Sequence, residues 1–535
     1  MATSHGGKHR DTERQGTGWY AQTGQFGRMF PHLTRHVHAS DDAMAALAKA
    51  MVEPAGNPRP DNQDVPAGYT YLGQFVDHDM TLDTTALSEV QADPAAMFNF
   101  RTPRLELDSL YGTGPGGMPH LYARGPKFLL GTTTGLPAGP IPGAPLPAVP
   151  GFDLPRLSQG LAVLGDPRND ENLLVAQLHL AFLRFHNAAV DALAAKGVAP
   201  DRLFDEARRE VRWHYQWIVL RDMLPRMIDL AELHHVVSHG RDWFTFGYGQ
   251  DPYMPVEFSG AAYRLGHSMV REKYTHNRVF DTPEPFAEFF RFTGKSGIIG
   301  QGLPTFPSNW IIDWRRFFHG VTPTRNALGG APVPPLPAGK LNFARPFDPY
   351  LVGALHALPG APAAANEASL AFLNLKRGVR LQLPSGQAVC RTMGITPLTP
   401  AQLTNPATST PAEIAALTTH SFDRETPLWY YILKEAQLLG GVLNSANPPA
   451  RGSTLGPMGS RILAEVFLGL LDSDPDSQRM QDPTWSPTFG TVDMMDPLDT
   501  TRTVKRFTIA DMLNFIETEE AKTAPAAPSF INPLG

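Results

Sequence analysis

Tyr71-Leu72-Gly73-Gln74-Phe75-Val76-Asp77-His78-Asp79-Met80 is the most informative stretch of this chain. Gln74 and His78 are four residues apart, so on a helix they share one face. An aspartate adjoins the histidine on each side, inside a segment otherwise made of Tyr71, Leu72, Phe75, Val76 and Met80. Charged side chains usually sit in solvent, and read alone the segment fits a solvated helix end. It fits equally a reaction pocket, with Gln74 and His78 over a ligand and Asp79 turned away toward a metal.

The rest of the chain narrows the class. Of 535 residues, 18 % are charged and 10 % aromatic, and the net charge is −6. That composition is globular, and the charge gives no reason to expect nucleic acid or an anionic membrane as a partner. The single cysteine, Cys390, excludes an intramolecular disulfide framework and reads as an ordinary buried or half-buried thiol. The polar N-terminus lacks the apolar core of a Sec-type signal peptide. No uninterrupted apolar run approaches the roughly 18–20 residues of a membrane span, and the longest, Ile462 to Leu471, is broken by Glu465. The expectation is a soluble protein without a transmembrane span, either cytoplasmic or exported by a leaderless route. Nothing in the sequence speaks to its oligomeric state.

Residues 1–22 read as a flexible arm and residues 521–535 as a tail. Between them, apolar residues recur at helical spacing over Asn172 to Ala195, Asp205 to Leu224, Leu428 to Leu443 and Ser460 to Leu471. The 48 glycines and 51 prolines cluster between such segments, for example over Gly131 to Pro155, Gly329 to Gly339 and Leu358 to Ala365, which predicts long irregular connections. The fold class is mainly α: one large helical domain over residues 23–520 with long Pro/Gly-rich loops.

Gln74-x-x-Asp77-His78-Asp79 resembles the distal helix of the animal-type haem peroxidases, the superfamily that includes myeloperoxidase, lactoperoxidase and the cyclooxygenases. Four further segments are similar to that family and follow its chain order. They are Thr102-Pro-Arg-Leu-Glu-Leu-Asp-Ser109, Gly165-Asp-Pro-Arg-Asn-Asp-Glu-Asn172, Ala262-Tyr-Arg-Leu-Gly-His-Ser268 and Asn374-Leu-Lys-Arg-Gly-Val-Arg380. Because the secreted animal members are disulfide-rich, the lone cysteine makes this chain look like a bacterial relative. The resemblance implies a helical peroxidase domain with haem b and calcium. It implies hydrogen peroxide as one substrate, and halides, pseudohalides or small phenols as electron donors.

It also implies a role for each matched residue. His267 would ligate the haem iron, with Asn374 on its far ring nitrogen. Arg264 and Arg377 would bind the haem propionates, guanidinium to carboxylate. His78 would carry a proton between the two peroxide oxygens. Arg168 would stabilise the charge that develops as the O–O bond breaks, and Gln74 would orient a water or halide. Asp77 and Glu171 match carboxylates that form ester links to haem methyls. Asn172 stands where one relative has a methionine with a sulfonium link, so that link should be absent. Asp79 would reach calcium together with Thr102, the carbonyl of Arg104, Glu106 and Asp108, in an oxygen-rich set of the kind calcium prefers. Glu106 and Asp108 depart from the family, which has aspartate and serine at those places.

Other features earn no role. His179, His186, His234 and His235 do not form a zinc motif, and Gly247-Tyr248-Gly249 is not a phosphate loop. The same fold hosts fatty-acid dioxygenases, whose radical tyrosine lies three residues before the proximal histidine. Here that place is Arg264. Tyr263 is one step off, or about 100° around an α-helix, which argues against that activity. A non-catalytic haem-binding or adhesion module would be expected to lack His78 or Arg168. The physiological electron donor is not legible.

Overall fold

In a computed structural model of the chain, which describes residues 24–54, 59–83, 97–123, 125–246, 252–358, 366–443 and 450–535, the segment around His78 is helix α1, Gly68–Met80. The helix stops where Thr81 turns extended. The Thr81 N–H and hydroxyl donate to the Asp77 carbonyl at 2.9 and 3.1 Å, and the hydroxyl also donates to Asp77 Oδ1 at 3.0 Å. The apolar side of α1 lies on α2, Leu173–Ala195. There Phe75 stacks on Phe182 with centroids 4.6 Å apart and planes 5° apart. Such a pair contributes about 0.5–1.5 kcal/mol beyond the area it buries. Tyr69 donates to Asp222 at 2.8 Å and Tyr71 to Tyr274 at 2.9 Å. These anchors fix the rotation of α1 about its axis, and hence the direction in which Gln74 and His78 face.

The remaining long helices are α3 (Leu203–Ile218), α4 (Leu370–Arg380), α5 (Leu428–Leu439), α6 (Pro457–Ser473) and α7 (Ile509–Thr523). Helices α1, α3 and α7 all pack on α2, and the protein is 43 % helix and 11 % strand, so the mainly α reading holds. Asn172 caps α2 by accepting from the Val175 N–H at 3.1 Å. Helix α5 ends four residues earlier than its apolar pattern, because Gly440-Gly441 follows and Val442–Leu443 pairs with Ala450–Arg451 as a short ladder. The loop expected as irregular over Gly131 to Pro155 also contains a ladder, Gly131–Thr132 against Pro150–Asp153.

One expectation needs correction. The stretch from 521 is not a loose tail: α7 runs on to Thr523, and Phe530, Ile531 and Leu534 are buried. The backbone there accepts from Trp314 N–H and Leu328 N–H at 3.0 and 2.8 Å. Proline-rich composition hid three apolar side chains that cover the core. Helix α2 is long and apolar enough to cross a membrane by length and composition, although its apolar run is interrupted by Gln177, His179, Arg184 and His186. It is a core helix, with 94 % of its most apolar stretch buried inside the protein. The N-terminal arm and Gly247-Tyr248-Gly249 lie outside the described residues. Cys390 is buried and its thiol donates to Tyr431 Oη at 3.3 Å.

Candidate active site

The fold brings the predicted residues to one cavity of about 640 Å³, within the range of ligand sites. Gln74, Asp77, His78, Arg168, Glu171, Arg264, His267 and Arg377 all line it. From α1 come positions i, i+3 and i+4, one helical face, while Asp79 lies off that face and does not line the cavity.

His78 is buried, and its Nδ1 donates to Asn169 Oδ1 at 2.8 Å. Burial, with the nearby charge of Arg168, pushes its pKa down to about 3, so the ring is neutral. Its Nε2 is 4.0 Å from Glu171 Oε1. Gln74 donates to that same carboxylate oxygen and accepts from Asn172 Nδ2 at 3.0 Å. The Gln74 amide is therefore oriented by a donor on one side and an acceptor on the other. Asn172, expected only as the residue without a sulfonium link, thus both caps α2 and orients Gln74.

Arg168 sits on a tight turn, Pro167–Asp170, started by Asp166, whose carboxylate accepts from the Arg168 N–H at 2.9 Å. The guanidinium is held by Asp166 at 2.7 Å and by the carbonyls of His78 and Thr81 at 3.2 and 2.5 Å. Asp166 is fully buried and also receives Arg101. Burial raises its pKa, but hydrogen bonds and charge from Arg168, with the charge of Arg101, bring it well below the usual carboxylate range. Asp166 stood in the quoted motif without a role, and it is the counter-ion that positions Arg168. Likewise Asp170 is locked by Arg156 at 2.7 Å.

On the other element, Ala262–Leu265 forms a 3₁₀ turn and Gly266–Met269 one helical turn. His267 Nδ1 lies 2.8 Å from Asn374 Nδ2 of α4. Burial and then the charge of Arg264 push the imidazole down to about 3. With the amide nitrogen against it, Nδ1 accepts and the ring proton sits on Nε2. Turning the amide by 180° places Oδ1 against Nδ1–H and frees the Nε2 lone pair. The two ends of an amide have the same shape, so the contact admits both orientations, and only the second suits a metal ligand. Arg264 donates to the Ser259 carbonyl at 3.0 Å, and Arg377 pairs with Asp83 at 2.5 Å. Asp83 also lines the cavity and was missed, since no motif contains it.

Asp77 and Glu171 have their carboxyl pKa values raised, chiefly by burial. Arg264 and Arg168 oppose this at Asp77, as Lys295 and Arg168 do at Glu171. The half-buried carboxyls of Asp77 and Glu171, three arginines and two neutral imidazoles around one cavity suit a flat, apolar group that carries two carboxylates and one metal, which is the donor chemistry haem requires. Tyr263 also lines the cavity, stacked on Phe258 at 4.9 Å, with its hydroxyl buried and unpartnered among the described residues. In the 3₁₀ turn one step rotates a side chain by about 120°, so the offset between Tyr263 and Arg264 persists, yet both residues line the cavity.

The loop expected to hold calcium lies behind α1. Asp79 is fully buried; its Oδ2 accepts from the Glu106 N–H at 3.1 Å, and among the described residues its Oδ1 has no close hydrogen-bond partner, the Tyr215 hydroxyl being the nearby polar group. Thr102 donates to Glu106, and Leu107 takes a left-handed conformation (φ 59°) to turn the loop. An orphaned buried carboxylate oxygen beside a hydroxyl and a second carboxylate is suited to a hard cation. Asp108, by contrast, is paired with Arg101 at 3.3 Å, and the Arg104 guanidinium is buried on Asp474 at 3.1 Å. Among the described residues no three acidic, histidine or cysteine side chains converge as a cage. Gly165 joins this loop to the arginine segment: its N–H donates to the Ser109 carbonyl at 3.0 Å, and a Cβ there would sit 2.6 Å from that oxygen.

Residues 148–291 match the family model for animal haem peroxidase. That segment contains Arg168, Glu171, Arg264 and His267 but neither His78 nor Asn374, which the fold brings to the same place. Human thyroid peroxidase is 26 % identical over 412 residues, covering 72 % of this chain and 38 % of that protein. Chorion peroxidase of Drosophila melanogaster is 33 % identical over 129 residues, 22 % of this chain and 15 % of that one. The chain thus spans well under half the length of these relatives. Among solved structures, peroxidase A from Dictyostelium discoideum superposes with a TM-score of 0.56 at 17 % identity, over 86 % of this chain and 90 % of the other. A fatty acid alpha-dioxygenase of Arabidopsis thaliana superposes with a TM-score of 0.56 at 13 % identity, over 95 % and 78 %. These two establish likeness of fold alone.

Proposed function

We propose that the chain belongs to the animal haem peroxidase family, whose model matches residues 148–291, and that it binds haem b in the cavity between His78 and His267 and reduces hydrogen peroxide. The electrons come from halides, pseudohalides or small phenolic and aromatic donors. The observation that carries this reading is that two neutral imidazoles, the buried His78 and the half-buried His267, each held through Nδ1 by an asparagine, line one cavity with Arg168 and Gln74 beside the first.

His267 is the iron ligand, and Arg264 and Arg377 hold the propionates, Arg377 exchanging Asp83 for a propionate. When bound, the haem supplies the redox centre that takes up peroxide. His78 Nε2 accepts the proton of one peroxide oxygen and returns it to the departing oxygen, so that water leaves. Arg168, pinned by Asp166, presents fixed positive charge where negative charge develops, with no reorganisation at the moment of reaction. Gln74 places a water or halide beside His78. Asp77 and Glu171 are the carboxyls that would carry ester links to the haem. Asp79, Thr102 and Glu106 would hold a calcium ion that braces α1 from behind, with the Arg104 carbonyl and Asp108 completing the set once Asp108 releases Arg101.

A pyridine haemochrome spectrum of the purified protein, together with peroxide-dependent oxidation of a phenol, tests the proposal. One haem per chain and turnover support it, and a protein that takes up no haem on reconstitution contradicts it. A second reading, fatty-acid oxygenation, is favoured by the cavity-lining Tyr263. Oxygen uptake with a long-chain fatty acid, abolished by Tyr263→Phe while peroxide turnover persists, would establish it.

A further inference from the structure

We propose that Asn169 and His179 form a buried relay that holds His78 in its Nδ1–H tautomer, leaving Nε2 bare as the proton acceptor toward the cavity. The inference rests on His78 as the acid–base group. The three side chains are enclosed: His78 is 5 % exposed, Asn169 0 % and His179 1 %. His78 Nδ1 lies 2.8 Å from Asn169 Oδ1, and Asn169 Nδ2 lies 3.0 Å from His179 Nδ1. An amide oxygen only accepts, so His78 Nδ1 carries the hydrogen; an amide nitrogen only donates, so His179 Nδ1 accepts and its ring proton is on Nε2.

One amide against one imidazole can turn over without steric cost, as at Asn374. A second imidazole at the far end changes this. Asn169 cannot turn unless both buried rings exchange tautomers at the same time, which makes the orientation cooperative. The relay is also mechanically tied. Asn169 sits on the Pro167–Asp170 turn, its N–H donating to the Asp166 carbonyl at 3.1 Å. His179 sits on α2, its ring meeting Phe75 of α1 edge-on at 6.0 Å. The turn carrying Arg168 and the helix carrying His78 are thereby set against the same point of α2. Asn169 and His179 touch no reactant, and both are positioning residues.

The direct test is long-range ¹H–¹⁵N correlation on histidine-¹⁵N-labelled protein at neutral pH, with His78 identified by its loss in His78→Gln. The expected pattern is a protonated Nδ1 and a bare Nε2 at His78, and the reverse at His179. A protonated Nε2 at His78 overturns the proposal. Variants of the haem-loaded protein supply the second arm, read as association rates of peroxide and of cyanide, which must also lose a proton to a base near the haem. Asn169→Leu should slow both by about 10²-fold, whereas Asn169→Asp, which keeps an acceptor for Nδ1–H, should stay within about fivefold. His179→Leu should slow both about tenfold and His179→Gln should restore them, since glutamine again offers an acceptor. Wild-type rates in both leucine variants also overturn the relay. If the wild-type protein itself does not react with peroxide, the functional reading fails, and the nitrogen shifts still judge the relay.

Discussion

Asn374 and His267 meet at 2.8 Å although 107 residues separate them in the chain, and among the described residues the His267 ring makes no other hydrogen bond. Its other nitrogen is left for the cavity. Replacing His267 with alanine should therefore remove the protein ligand of the haem and lower haem content to a small fraction of wild type, measured as haem per chain. Asn374→Asp should keep the haem and lower its reduction potential, because an anionic partner makes the ligand more basic. Full haem retention in His267→Ala would exclude the assignment.

Asp79 predicts a response to calcium. A cation on its orphaned oxygen stabilises the fold by RT ln(1 + [L]/Kd), so a chelator should lower the Tm by several degrees and added calcium should restore it. Asp79→Asn should remove the difference. Equal melting curves with and without chelator, and no calcium in elemental analysis, would remove the metal from this loop.

Asp77 and Glu171 predict covalent attachment. Peroxide treatment should increase the fraction of haem that survives acid–acetone extraction. Each single alanine variant should reduce that fraction and the double variant should release all its haem. Complete extraction of wild-type haem after repeated peroxide turnover would leave both carboxylates with charge-pairing roles only.

A pH dependence of stability follows from His214, away from the cavity. Its Nδ1 donates to the Glu210 carbonyl at 2.7 Å and its Nε2 accepts from the Phe489 N–H at 3.3 Å. Burial pushes its pKa down to about 3, the Glu210 contact opposing and Lys196 assisting. The unfolded chain takes up a proton near pH 6.5 that the native state refuses, so stability falls as pH drops from about 6.5 toward 3. By pH 4 the loss from this one group is on the order of 3 kcal/mol. His214→Gln should be less stable at pH 7 yet lose less Tm between pH 6.5 and 4. A parallel pH profile for the two proteins contradicts the assignment.

Much of the site was legible because its chemistry sits in short contiguous motifs. Gln74, Asp77 and His78 announce one helical face, and Arg168 with Glu171 announces one turn. What escaped was what the motifs need around them. His179 looked idle because its partner Asn169 lies before the helix starts, so no helical periodicity links them. Asp83 reaches Arg377 from far away in sequence. Tyr263 was judged by its angular offset from Arg264, but the cavity is wide enough that both residues line it. The last residues, read as a tail from their prolines and alanines, bury Phe530 and Ile531 against the core.

The central claim is that His78 moves the peroxide proton while Arg168 stabilises the charge that follows. Stopped-flow mixing of the haem-loaded protein with hydrogen peroxide, monitored at the Soret band, tests it most directly. The account predicts a fast spectral change in wild type, and the same change slowed by about 10²–10⁴-fold in His78→Ala and in Arg168→Ala with haem content unaltered. Rates within a few-fold of wild type in both variants would contradict it.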